Sequence, residues 1–170
     1  VRGDPKLLEG ATKQTMKTII GIDNGPTGTI GFVSEKLTTF FETPTQEYLH
    51  YGKKGSVSSR LDRAQLMATL KSSMEVANVT SGDVRVFIER PFTAGPMMIK
   101  AMLAAHRFFE ATIITLEEMG LGYDVIDSAE WQKPTLGAVK GSAELKKASK
   151  LRGIQLYPNL QALISKHGDA

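Results

Sequence analysis

Alternating apolar and polar positions dominate the first part of this chain from Lys17 onward. Between Lys17 and Val33 the residues are rich in Thr, Ile, Phe and Val, types that suit a pleated, half-buried surface. Asn24-Gly25-Pro26-Thr27-Gly28 interrupts them with the φ freedom and fixed φ of a tight turn, so the segment predicts a β-hairpin. A third run, Leu37 to Phe41, can pair with it before Pro44 ends the strand. Thr43–Ser59 has no sustained period and mixes Pro44, Gly52, Lys53, Lys54 and Gly55 with Tyr48, His50 and Tyr51, which predicts a mobile basic loop. From Arg60 to Val76, Leu61, Leu66, Met67, Leu70 and Met74 fall largely on one helical face, after a Ser58-Ser59 cap.

Val84–Glu89 reads as a buried strand that Pro91 forbids from simply continuing, so Glu89 stands at a strand end. Pro96–Met119 predicts a long helix with too many apolar residues for one narrow stripe, hence packed on two sides. After Gly120–Gly122 comes a strand over Tyr123–Ile126 and a short helical turn from Ser128 to Lys133. A helix capped by Ser142 runs to Leu151 and ends at Gly153, and a last apolar helix spans Asn159 to Ile164. Three strands, helix, strand, helix, strand, helices is an α/β order. It predicts a mixed five-stranded sheet, three antiparallel strands followed by two parallel ones, flanked by helices.

The 170 residues suit one domain, expected over residues 16–170, with residues 1–15 read as a polar leader of the kind an expression vector supplies. Charged residues interrupt every apolar run before it reaches the ~20 residues that a membrane span needs, so no membrane partner is expected. The absence of cysteine removes disulfides and thiolate metal sites and suits a reducing compartment, with cytoplasm the default and an organelle interior the eukaryotic equivalent. A net charge of +3 permits a polyanion partner without demanding one.

The candidate chemistry lies at two strand ends. Asp23 follows Thr18–Ile22, where a rigid strand can project a carboxylate, although an Asx turn with Gly25 would also explain an aspartate there. Glu89 follows Val86, Phe87 and Ile88, where a carboxylate is unfavourable unless paired, solvated or metal-bound. An ion pair with Arg85 or Arg90 is the alternative for Glu89. Acids on neighbouring strands can share Mg²⁺, with Mn²⁺ as its substitute, and two such ions can clamp the attacking and leaving oxygens of a phosphodiester.

These residues resemble a known family. Gly21-Ile22-Asp23-Asn24-Gly25 is similar to the first-strand motif of RuvC-type Holliday junction resolvases, and Glu89-Arg90-Pro91-Phe92 to their second motif. Val125–Lys133 resembles the strand and tryptophan-lysine turn of phage and organellar members, and Gly141-Ser142-Ala143-Glu144 precedes a lysine-rich helix as in that group. The resemblance implies a ribonuclease H-like fold and a homodimeric, Mg²⁺-dependent endonuclease acting on four-way or branched DNA. It makes Asp23 and Glu89 metal ligands, Phe92 a wedge between bases, and Lys133 with Lys146 or Lys147 electrostatic helpers at the scissile phosphate. Arg90, Lys53, Lys54, Lys140 and Lys147 are candidate phosphate contacts. The family also carries acids, or a His and an acid, near the start of its last helix. Here the matching stretch is Lys166-His167-Gly168-Asp169-Ala170, with Asp169 the expected third ligand, His167 a weaker fourth, and a partner acid expected beyond Ala170. The Pro96–Met119 helix is the candidate dimer interface, with burial in the monomer core as its alternative. Rival readings are an RNA-directed ribonuclease H-like enzyme, a binder of branched DNA that does not cut it, and a fragment of an actin-like ATPase.

Overall fold

In strand β1 (Thr18–Ile22) Thr18, Ile20 and Ile22 are buried while Ile19 and Gly21 point to the other face, the period of two that a strand with a core on one side requires. The computed structural model describes residues 18–49, 57–91 and 99–167. β1 pairs antiparallel with β2 (Thr29–Ser34), and β2 pairs antiparallel with β3 (Thr38–Glu42). On its other side β1 lies parallel to β6 (Val84–Glu89), which in turn is parallel to β7 (Tyr123–Ile126). The order β3-β2-β1-β6-β7, three antiparallel strands followed by two parallel ones, is the expected mixed five-stranded sheet flanked by helices.

One face of the sheet holds the main core. Ile20, Ile22, Ile30, Phe32, Val84, Val86 and Ile88 meet Leu66 and Leu70 of α1 (Arg63–Ala77) and Phe108 and Leu116 of α2 (Ile99–Glu118). The opposite face carries Gly21, Gly31, Phe40, Phe87 and Ile126, partly roofed by Trp131 of α3 (Ser128–Leu136) and by Tyr157, which follows α4 (Ser142–Leu156). The Phe40 and Tyr157 rings meet edge to face, 6.1 Å between centroids. A 3-10 turn over Pro158–Leu160 leads into α5 (Gln161–His167). No helix among the described residues is long and apolar enough to cross a membrane.

The structure departs from the sequence reading between Pro44 and Arg63. The predicted loop contains an antiparallel ribbon of β4 (Thr45–Leu49) and β5 (Val57–Leu61), in which Thr45 pairs with Leu61 and Leu49 with Val57. Its side chains are mostly exposed and polar, and buried Leu61 anchors its base. Ser58 and Ser59 therefore lie in a strand, and α1 starts later, capped by Asp62 Oδ1 accepting from Gln65 N at 2.9 Å. Downstream, Asp127 rather than Ser128 caps α3, with Glu130 accepting from Asp127 N at 2.9 Å, and the helix runs on through Pro134. α4 runs through Gly153, where Ile164 of α5 packs close to the missing side chain.

Gly28 closes the β1–β2 turn: its N donates to Gly25 O at 3.1 Å, and its O accepts from Thr43 N at 2.9 Å. A Cβ on Gly28 would stand 2.1 Å from the Asp23 carbonyl oxygen, a backbone atom that cannot swing aside. Gly28→Ala is expected to destabilise the protein by roughly 2 kcal/mol or more in urea unfolding. An alanine variant with an unchanged midpoint would show that the turn yields to a side chain at this position.

Candidate active site

Parallel pairing of β1 with β6 sets Ile22 opposite Ile88, so the next residues, Asp23 and Glu89, leave neighbouring strands at one edge. Both belong to the face that carries Gly21 and Phe87, away from the main core. The Asp23 backbone is held by its N donating to Thr29 O at 3.0 Å. Among the described residues no hydrogen bond from Gly25 reaches the Asp23 carboxylate, so an Asx turn does not account for this residue.

Glu89 is held from three directions. Trp131 Nε1 donates to Oε2 at 2.7 Å, Ser128 Oγ donates to Oε1, and Asn24 Nδ2 donates to the Glu89 carbonyl oxygen at 3.2 Å. Thr112 Oγ1 in turn donates to Asn24 Oδ1 at 3.1 Å, linking α2 to the two strand ends. The alternative ion pairs are not formed: Arg85 binds Asp124, and Arg90 Nε lies 3.3 Å from Asp127 Oδ1. A carboxylate offers about four lone-pair directions, and two remain on Glu89 beyond the Trp131 and Ser128 bonds.

Burial pushes the Asp23 carboxyl up to about 6; the nearby Glu89 charge adds to the rise, and Lys146 opposes it. Lys146 stands across a cleft of about 560 Å³ whose lining includes Asp23, Glu89, Ser128, Trp131 and Gln132. A second, mostly apolar hollow of about 400 Å³ continues along the sheet past Gly21, Gly31 and Phe87. The site thus joins two carboxylates and a lysine beside a largely apolar floor.

No protein-family model matches the chain, and no curated protein matches it. Solved structures of similar shape include Thermus thermophilus RuvC in complex with a Holliday junction substrate, at 16% identity and a TM-score of 0.46, covering 81% of this chain and 77% of that one. A second Thermus thermophilus RuvC structure has 14% identity and a TM-score of 0.42, covering 81% and 78%. At such identity nothing about chemistry transfers, and the side chains must carry it.

Of the expected site residues, Asp23, Glu89 and Lys146 come together. Lys133 on α3, Lys140 before α4 and Lys147 on α4 are exposed and do not line this cleft. Arg90 is exposed beside Asp127. Phe92, Lys53, Lys54 and Asp169 lie outside the described residues, as does the His167 side chain. Ser128, Trp131 and Asn24 were not assigned these contacts from sequence. The available signal was a helix starting directly after the strand that pairs with β6, which brings its first turn to Glu89.

The raised Asp23 pKa gives a signed expectation. The folded state holds this proton to higher pH than the unfolded chain does, so without divalent cation stability falls as pH rises from about 4 through about 6. A shift of about two units amounts to at most ~3 kcal/mol. Asp23→Asn is expected to remove that slope and to raise Tm at pH 7 without cation. A variant with the same pH slope as the parent would take Asp23 out of this account.

Proposed function

We propose that this chain is a metal-dependent nuclease cutting phosphodiesters in four-way or otherwise branched DNA, in the manner of the RuvC-type resolvases that its motifs resemble. The observation that carries the reading is the pair of carboxylates at the ends of β1 and β6, beside a cleft that also holds Lys146. Structural ion pairs join opposite charges, whereas here two like charges share a partly apolar rim, and a hard cation would offset that repulsion.

The donor set suits Mg²⁺, or Mn²⁺ in its place, because it offers carboxylate oxygens on rigid strand ends. Among the described residues no group of three acidic, His or Cys ligands is present. Asp23 and Glu89 would hold the ions, two in the expected mechanism, with Asp169 and His167 the further ligands that the motif resemblance implies. A divalent cation bound there supplies positive charge to phosphate oxygens as negative charge builds on them. The other roles fall to the chain itself. Trp131 and Ser128 fix the Glu89 rotamer, Asn24 ties its backbone to α2, and Lys146 attracts a phosphate into the cleft.

In a Mg²⁺ assay on a synthetic four-way junction, Asp23→Asn and Glu89→Gln should each lower cleavage at least ~100-fold and leave junction binding nearly intact. Cutting confined to an RNA strand would move the assignment to an RNA nuclease. Junction binding with no cutting by the parent protein would make it a binder.

A junction presents two symmetric scissile sites, and we propose that α2 joins two copies so that each meets one site. Ile99 and Leu103, in the first turns of α2 ahead of Arg107, are exposed. The parent should sediment as a dimer and Leu103→Glu as a monomer; equal masses would remove α2 from the interface.

A further inference from the structure

The β4–β5 ribbon leans toward α2, and between them runs a trough of about 1090 Å³. Arg60 of β5, Arg63 of α1 and Arg107 of α2 line it with Tyr48 and Gln46 of β4, and among the described residues none of its lining is acidic. Arg63 is already engaged, donating from Nε to Thr115 Oγ1 at 3.0 Å and pairing with Glu118. Arg60 and Arg107 differ: among the described residues, the ion pairs of arginine use Arg63, Arg85 and Arg90. Both lean on one aromatic ring instead. Arg107 Nη1 donates to Tyr48 Oη at 3.0 Å, and the Arg60 guanidinium carbon sits 5.8 Å from the Tyr48 ring centroid. Tyr48 therefore gathers two exposed like charges in one place, with most of their N–H donors still available. An acidic lining residue would relieve their repulsion within the protein; a polyanion relieves it from outside.

Both walls of the trough are tied to the turn that follows Asp23. The base of the ribbon is fastened to the turn behind Asp23 through Thr43 N to Gly28 O at 2.9 Å. α2 is fastened to the same turn through Thr112 and Asn24, and Arg107 lies five residues earlier, ~7.5 Å along the helix axis. The trough is lined from α1, α2 and the ribbon, whereas Asp23 and Glu89 line the cleft with Lys146.

We propose that this trough grips the phosphate backbone of a DNA arm, with Arg60 and Arg107 each meeting a phosphate, while the phosphodiester to be cut lies at Asp23 and Glu89. The proposal rests on the nuclease reading above. The grip is independent of the metal site and is built on the β4–β5 ribbon.

The test measures binding of the full chain to a four-way junction and to a linear duplex in EDTA, across a range of KCl concentrations. Arg60→Gln with Arg107→Gln should reduce the slope of log affinity against log salt by about 1.8, at ~0.9 per duplex phosphate contact, on both DNAs. Each single variant should remove about half of that, and the singles carry the test if the pair melts early. Arg60→Lys with Arg107→Lys should keep most of the slope, since a lysine still meets phosphate as a point charge. An unchanged slope in the glutamine variants overturns the proposal, as does a change in oligomeric mass without a change in slope, which would assign the trough to a second copy. Polyglutamate binding the parent as tightly as DNA does would assign it to acidic protein segments and also overturn it. A parent chain that neither binds nor cuts DNA sinks the nuclease reading and the trough with it. A parent that cuts junctions while the glutamine pair keeps its slope sinks the trough alone.

Discussion

Two like charges are held side by side because Ile22 lies opposite Ile88 in parallel register, and a hydrogen-bonded sheet has no soft coordinate along which to part them. Slipping β6 by one residue would turn Glu89 into the core and bring Phe87 out of register with Gly21, so the apolar alternation of both strands enforces the apposition. Everything else at this edge follows from that constraint. Trp131 and Ser128 satisfy one carboxylate, Lys146 stands across from the other, and the turn through Gly28 packs its backbone against Asp23 with no room for a side chain.

Such an arrangement lowers the stability of the fold, and the magnitudes say why it is tolerated. Asp23 charged at neutral pH opposes folding by a few kcal/mol at most. Fully burying one Ile, Val or Phe contributes roughly 1.5–3 kcal/mol, and Ile20, Ile30, Phe32, Val86 and Ile88 are all wholly buried on the other face of the same sheet. The face that gives stability and the face that gives chemistry are thus the two sides of the same strands.

Much of this was legible in the chain. β1, β2, β6 and β7 announce themselves by β-branched alternation or short apolar runs, and Asp23 and Glu89 by ending two of them. The β4–β5 ribbon was not legible, because Thr45–Leu49 and Val57–Leu61 bury little, and their pairing depends on Leu61 and on α2 rather than on local pattern. Helix starts moved for a related reason: Ser58 and Ser128 are good caps by type, yet Ser58 is taken by a strand and Ser128 by Glu89. Lys146 could be nominated beside Lys133 and Lys147 but not chosen among them, since a lysine's surroundings are decided by how helices cross, which no spacing along one helix reveals.

Asn24 uses both ends of one amide, giving a proton to the Glu89 carbonyl and facing the Thr112 hydroxyl with its oxygen, which shares that hydroxyl's single proton with Phe108 O at 2.8 Å. Aspartate has nearly the same outline but no donor, and it would set a third negative charge between the two already there. A neutral isostere at this position limits the charge count of the rim while keeping a helix in step with two strand ends, so replacing a single nitrogen by oxygen would alter valence and alignment together.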